Sequence, residues 1–475
     1  LNFDHTYIDG TWRDAEGVGA THIVDSYTEA VFGTVRTSSP AQVDIAARAA
    51  RRALPAWSAT PVAERAAALR AVADELEQRA GALAEAIMRE VGMPRKLVQR
   101  IQVGAPISAW RLCADLAETL DWESRIGHSL VRQVPVGVVG CITPWNYPLH
   151  QITAKVAPAL AAGCTVVLKP SEIAPLSAFL LAQAIEAAGV PPGVFNLVHG
   201  TGQEIGDALV RHPEVDMVSF TGSTRAGRQI GAIAGAQIKR VSLELGGKSA
   251  ALVLPGADLA AAVKATLASC FLNAGQTCSA LTRLLVPRAD YDRCVLLILD
   301  LMRNYVMGDP ADPATRLGPL VSSGHRDTVL AMLAQAGLDG VGVVAGGAAG
   351  YPVPATGFFV PPTVLGPVTS LMTVAQQEVF GPVLALMPYD DVDEAVRIAN
   401  GTPYGLAGAV WGPTPDAAYC VARRLRAGQI DINGAPFNLA APFGGFGQSG
   451  MGRENGRFGI QGFLEPISYQ FNETT

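Results

Sequence analysis

The chain has 475 residues, more than one hydrophobic core usually serves, so two or more lobes are expected. With 49% hydrophobic and 16% charged residues it has the balance of a compact globular protein, not of a disordered chain. A net charge of −6 without a basic cluster sets nucleic acid aside, and the longest uncharged runs, such as 156–168, are too short to cross a bilayer.

In chain order, residues 7–12 predict a short strand and turn. Apolar residues at helical spacing predict helices over 42–57 and 61–91, interrupted at Pro94. The segment 130–142, rich in Val with Gly and Pro, predicts extended chain. Strand and helix then alternate, with strands at 165–168, 194–198, 215–220 and 239–243 and helices at 175–188, 203–210 and 225–235. That order predicts a parallel sheet covered on both faces. The pattern restarts at 250–254, which sets a lobe boundary after Leu245-Gly246-Gly247. The second lobe predicts strands at 284–286, 360–364 and 383–387 and a helix at 391–400, with 340–350 a glycine-rich loop.

The seven cysteines are scattered and include no Cys-x-x-Cys pair. Neither a disulfide framework nor a metal site is expected, and a reducing, cytoplasmic compartment fits. The opening Leu-Asn-Phe-Asp-His carries neither the basic nor the apolar stretch of a signal peptide.

Strands of a parallel sheet present ligands at their carboxyl ends. Lys169 and Glu172 fall just past the strand 165–168. A carboxylate there can accept hydrogen bonds from both ribose hydroxyls, while Lys donates to a third oxygen. Glu172 would repel a 2′-phosphate, which favours NAD over NADP; the same pair would also suit a salt-bridged surface turn. Gly222, Ser223 and Gly227 lie between a strand and a helix, where backbone amides can hold a pyrophosphate. The single Gly-x-Gly-x-x-Gly match, Gly445 to Gly450, follows Pro442-Phe443 and not a strand, so a loop is expected. Glu244 lies about twenty residues past Gly222, the spacing of a ribose-binding acid. The residues alone therefore allow it either that role or a catalytic one.

Cys278 stands among the small polar residues Gly275, Gln276, Thr277 and Ser279, whereas the other six cysteines are expected to be inert buried side chains. Its thiolate fraction, low for a free thiol, would be raised by cofactor charge and backbone amides. A thiol can attack a carbonyl, and a nearby carboxylate can later activate water. Glu244, between Leu243 and Leu245-Gly246-Gly247, would be desolvated and have a raised pKa. Pro144-Trp145-Asn146-Tyr147-Pro148 offers a side-chain amide that donates without acting as a base. With Lys169-Pro170-Ser171-Glu172, these motifs resemble the aldehyde dehydrogenase superfamily over essentially the whole chain.

The resemblance implies an α/β fold: a Rossmann-like NAD-binding lobe (1–118 and 137–246), a second α/β catalytic lobe (247–462) and a small β oligomerisation arm (119–136 and 463–475). It implies that Cys278 attacks an aldehyde and that Asn146 and the Cys278 backbone N–H hold the oxyanion of the thiohemiacetal. Hydride leaves for the nicotinamide, and Glu244 activates water against the remaining thioester. It assigns proton relay to Lys155 and Glu454, the nicotinamide ribose and ring to Glu378 and Phe380, the adenine side to Gly202 and Gly206, and a further cofactor contact to Trp145. The acyl tunnel would be lined by Tyr147, Gln151, Ala154, Phe437, Phe443, Thr277 and Ser279. The residue before Lys155 is Ala154, where relatives that grip a distal carboxylate carry Arg, which argues against succinic semialdehyde. The small Ala154 would widen the tunnel for bulky aliphatic or aromatic aldehydes. The expected partners are a small-molecule aldehyde and copies of the same chain in a homodimer or homotetramer, without nucleic acid or membrane. Three rivals stand beside this: a CoA-acylating enzyme, a cysteine hydrolase and a non-catalytic binding protein. Glu244 favours water over coenzyme A, none of His128, His150 or His199 stands in a motif, and a binding protein has no use for Cys278, Asn146 and Glu244 together.

Overall fold

The computed structural model describes residues 2–472. Two large sheets dominate. The first has at its centre five parallel strands, in the spatial order Arg240–Glu244, Met217–Thr221, Val138–Ile142, Thr165–Lys169 and Phe195–Leu197. Connections reverse direction between Val138–Ile142 and Met217–Thr221, and a ligand crevice is expected at such a switch point. The edges are antiparallel: His5–Ile8 and Thr11–Asp14 flank one side, and Gly450–Met451 pairs with Leu243–Glu244 on the other. The chain thus returns to the first sheet ahead of the expected boundary at 462.

Alternation along the strands fills a core on each face. Val139, Cys141, Val166 and Leu168 pack with helices Val62–Gln78 and Ala105–Glu118. Val138, Ile142, Val167 and Val218 face the other way, against helix Pro40–Ala59. That helix begins in a capping box between Ser39 and Gln42, which satisfies two of its free amide groups.

The second sheet runs Val343–Gly346, Thr363–Leu365, Val383–Tyr389, Leu281–Pro287, Ser249–Val253, Ala407–Trp411 and Gln429–Ile432, parallel except for the first strand. That first strand corrects the loop expected over 340–350: the Val-Val-Ala run pairs at the edge although glycines surround it. The strand expected over 360–364 shrinks to Thr363–Leu365, because Pro361 and Pro362 cannot donate to a ladder. The helix expected over 203–210 is a π turn at Gly202–Gly206 followed by Asp207–Arg211.

A third, antiparallel sheet joins Glu123–Ile126, Ser129–Pro135 and Leu464–Gln470. The last part of the expected arm, 473–475, lies outside the described residues. Among the described residues, no helix is long and apolar enough to cross a membrane.

Candidate active site

Cys278 follows an unusual turn. Helix Leu259–Phe271 ends, and Asn273, Ala274 and Gly275 adopt φ values of 54°, 55° and 79°. Left-handed backbone at a non-glycine residue costs roughly 1–2 kcal/mol, so neighbouring contacts must hold the turn. Side-chain amides supply them. Gln276, fully buried, donates through Nε2 to the Asn273 carbonyl at 2.9 Å and accepts the Val321 N–H at 2.9 Å. Asn273 Nδ2 donates to the Asn146 carbonyl at 3.0 Å, and so does Gln102 Nε2 at 2.9 Å. Asn146 Nδ2 donates back to the Gln276 carbonyl at 3.0 Å. A primary amide carries two N–H groups, so one remains for an oxyanion. Gly275 is required sterically: a Cβ there would lie 2.0 Å from the Gly381 carbonyl oxygen.

Cys278 is part-buried, whereas Cys113, Cys141, Cys164, Cys270 and Cys294 are buried. Cys420, expected to be buried, is exposed. Burial pushes the Cys278 thiol up to about 12, with the charges of Glu378 and Glu244 adding to it and the Ser279 backbone N–H opposing. The Ser279 amide acts in the expected sense, towards thiolate, but in the free protein desolvation and the charges of Glu378, Glu244 and Glu454 outweigh it. The effect of those charges also ties Cys278 to Glu244.

Glu244 closes the strand Arg240–Glu244, and neither carboxylate oxygen has a partner among the described residues. Burial, then repulsion from Glu454, raises its pKa well above the carboxylate range, against the pull of Lys155 and Arg453. Lys155 and Glu454 form a buried ion pair. The Gly445–Gly450 stretch is a loop with a short 3-10 turn, and it packs directly under Glu244. Ser449 accepts the Leu245 N–H at 3.0 Å and donates to the Gly246 carbonyl at 2.7 Å. A Cβ at Gly444 would lie 2.5 Å from Glu244 Oε1.

A cavity of about 370 Å³ opens onto Cys278. Tyr147, Gln151, Phe437 and Phe443 line it, with Thr277, Ser279 and Glu454. The Tyr147 hydroxyl lies 2.7 Å from Thr277 Oγ1, and the Phe437 and Phe443 rings sit 6.0 Å apart. Ala154 does not line this cavity. It faces a separate crevice of about 30 Å³ beside Leu112 and Leu116. Of helix Pro148–Ala162, His150 and Gln151 are presented to the larger cavity, and Ala154, about one turn further along the axis, lies past that stretch.

At the ends of the first sheet, Lys169 Nζ donates to Glu172 Oε2 at 2.9 Å. Burial alone would raise the Glu172 pKa, but the attraction and hydrogen bond of Lys169 outweigh it and the net shift is downward. Ser223 caps helix Thr224–Ala236, accepting the Ala226 N–H at 3.3 Å. Gly227 lets that helix lie on Leu245, where a Cβ would sit 2.5 Å from the leucine, and a Cβ at Gly222 would meet the Phe220 ring at 2.5 Å. A Cβ at Gly202 would meet no protein atom within 4 Å, so the protein's own packing does not call for glycine there.

Glu378 Oε1 accepts the Gly247 N–H at 3.0 Å, and burial lifts its pKa to about 7. Phe380 has φ 58° and packs edge-on to Trp145 at 5.5 Å. His325, which the sequence did not single out, completes this group. Its ring lies 5.2 Å from Trp145, and its Nε2 is 2.8 Å from the Phe380 carbonyl oxygen. Gln102 and Asn273 were also missed, and Gln276 was singled out only as a polar neighbour of Cys278, because a buried polar staple has no signature of spacing. His199 lies under the Lys169–Glu172 pair, buried, with its pKa pushed down to about 3 by desolvation.

The family profile "Aldehyde dehydrogenase family" matches residues 12–468. A 3-succinoylsemialdehyde-pyridine dehydrogenase from Pseudomonas sp. is 44% identical over 97% of this chain and 96% of its own length. A geranial dehydrogenase from Castellaniella defragrans is 42% identical, covering 96% of each chain. The solved structure of an aldehyde dehydrogenase C mutant from Pseudomonas syringae, with NAD+ and octanal, superposes with a TM-score of 0.96 at 43% identity, covering 98% of this chain and 96% of that one. The α/β fold and the chain-long match agree, and this chain belongs to the aldehyde dehydrogenase family.

Proposed function

We propose that this protein oxidises an aldehyde to a carboxylic acid with NAD, through a covalent intermediate on Cys278. The observation that carries this is a part-buried thiol on a 370 Å³ cavity, under the electrostatic influence of a buried carboxylate with two unpartnered oxygens. The Cys278 sulfur adds to the aldehyde carbon, and its proton leaves the site. The oxyanion accepts hydrogen bonds from the second Asn146 N–H and the Cys278 backbone N–H, each such donor being worth about 3 kcal/mol of barrier. When bound, NAD supplies the acceptor for the hydride that this intermediate gives up. Glu244 then takes a proton from water, and the water attacks the thioester to release the acid and restore the thiol. The raised pKa of Glu244 suits a base, and Lys155 with Glu454 offers a route for its proton.

The residues present fit NAD. The open space at Gly202, the capped helix N-terminus after Ser223 and the ionised Glu172 beside Lys169 match an adenosine, a pyrophosphate and a ribose with a free 2′-hydroxyl. Glu378, Phe380 and Trp145 would hold the nicotinamide end. On this reading the first sheet carries the cofactor lobe, the second sheet the catalytic lobe, and the Glu123–Ile126, Ser129–Pro135 and Leu464–Gln470 sheet an arm that builds a homodimer or homotetramer in the cytoplasm. The apolar cavity suits an aliphatic or aromatic aldehyde, in keeping with the names of the relatives.

A cysteine hydrolase is the reading to weigh against it, since His150 shares the cavity with Cys278. No hydrogen bond joins His150 to Cys278, however, and burial alone accounts for the His150 shift, so the ring is not placed as the thiol's base. The test is Glu244→Gln with NAD and octanal. A single burst of reduced cofactor followed by a stall at the thioester is expected; steady turnover at the wild-type rate would remove Glu244 as the base.

A further inference from the structure

Cys278 lies between the left-handed turn at 273–275 and strand Leu281–Pro287, with no helix or strand of its own. Its position therefore rests on side-chain contacts. The segment that faces it is stiffer. Tyr147 precedes Pro148, which keeps its backbone out of the helical region. The Tyr147 carbonyl accepts the Gln151 N–H at 2.8 Å and so opens helix Pro148–Ala162.

Two hydrogen bonds cross from this stiff segment to the Cys278 loop. Asn146 Nδ2 donates to the Gln276 carbonyl at 3.0 Å, and the Tyr147 hydroxyl lies 2.7 Å from Thr277 Oγ1. Consecutive residues on one side thus meet consecutive residues on the other. The second bond has a defined direction. A hydroxyl carries one hydrogen, and that of Thr277 goes to the Leu272 carbonyl at 3.3 Å. Tyr147 is therefore the donor, and burial, which raises its pKa further, keeps the phenol protonated. The bridge ends on Leu272, the residue just before the left-handed turn. Tyr147 and Thr277 both line the cavity, so they close the turn from that side, whereas Gln102, Asn273 and Gln276 brace it from the buried side.

One bond would let the loop pivot about it; two bonds from adjacent residues do not. What they fix is the placement of the Cys278 sulfur relative to the free N–H of Asn146. Packing by itself does not ask for a phenol. The wall around it is chiefly apolar, with Ile101, Ala105, Leu272 and Phe443, and a phenylalanine ring would fill the same place.

Within the aldehyde-oxidising function proposed above, we infer that Tyr147 is a positioning residue whose hydroxyl, acting through Thr277, holds the Cys278 loop in register with Asn146. This role is separate from its place in the cavity wall, and the hydroxyl takes no part in the bond-making steps.

The test measures the first turnover, as the rate constant for appearance of reduced cofactor at saturating NAD with octanal varied. That signal follows attack and hydride departure and no later step. Tyr147→Phe removes the donor and keeps the ring. Its maximal first-turnover rate is expected to fall roughly fivefold or more, because small misplacements of a reacting group lose rate steeply. The octanal concentration giving half that rate should shift by a smaller factor. Thr277→Val should lose at least as much, and Thr277→Ser, which keeps the hydroxyl, should recover most of that loss. The double variant Tyr147→Phe with Thr277→Val should match Thr277→Val, because both changes break the same bond. A fall of less than about fivefold in Tyr147→Phe overturns the bridge. So does a larger effect on the octanal dependence than on the rate, a Thr277→Ser variant no faster than Thr277→Val, or single effects that multiply in the double variant. Failure of the proposed function reads differently, because the wild type itself would then yield no reduced cofactor.

Discussion

At Cys278 the competition is between burial and the few groups that favour a thiolate. A free thiol titrates near ~8.5, but desolvation and the charges of Glu378 and Glu244 push this one up to about 12. A raised pKa keeps the thiol protonated at neutral pH, so alkylation by iodoacetamide should keep climbing with pH above 9 in the free protein. Cys278→Ala supplies the background from the exposed Cys420, and a plateau below pH 9 would contradict the shift. Glu244 is displaced in the same sense. Its base form is therefore gained as pH rises through a value above the ordinary carboxylate range. Thioester hydrolysis should rise along that limb, and the limb should vanish in Glu244→Gln. At the end of the first sheet, where the proposed function places the ribose, Lys169 favours the ionised form of Glu172. Glu172→Ser should relax the preference for NAD over NADP, read as the ratio of kcat/KM for the two cofactors; an unchanged ratio removes Glu172 from the ribose.

The turn that carries Cys278 is a chain of dependencies between elements. Gly275 packs on the Gly381 carbonyl, Gly381 follows the left-handed Phe380, and the Phe380 carbonyl is held by His325. Gly275→Ala, with a Cβ pressed on backbone at positive φ, should cost at least ~2 kcal/mol in urea unfolding. Its residual activity should fall further than its stability, because the misplaced element is the one bearing the nucleophile. His325 is a positioning residue on this account. His325→Ala should raise the KM for NAD about fivefold, the worth of one lost hydrogen bond. His325→Gln, which keeps an N–H donor, should restore most of it; equal defects in both variants would mean that ring packing alone matters. The Gly445–Gly450 loop belongs at this scale too. Its glycines serve close backbone contact with the Glu244 strand, where a Cβ at Gly450 would lie 1.9 Å from the Leu243 carbonyl oxygen.

Across the whole molecule, two sheets with separate cores meet where Cys278 and Glu244 stand, and a third sheet projects with open edges. Ile126, Ile467, Tyr469 and Phe471 are exposed on or beside that sheet, and a long apolar edge strand invites pairing with another chain. Ile467→Asp with Tyr469→Asp should lower the mass in sedimentation velocity while leaving the far-UV circular dichroism intact. The sequence by itself determined the local matters: the strand and helix alternation of the first lobe, the polar setting of Cys278, the Lys169–Glu172 turn and the loop character of Gly445–Gly450. These are legible because side-chain period and turn chemistry are short-range properties. Only the tertiary structure decided the rest. Gln102, Asn273, Gln276 and His325 came together from distant parts of the chain, Ala154 turned away from the tunnel, and the thiol was pushed up instead of down. The physical reason is common to all three: desolvation, hydrogen-bond pairing and cavity shape depend on neighbours far away in sequence, and no local pattern encodes them.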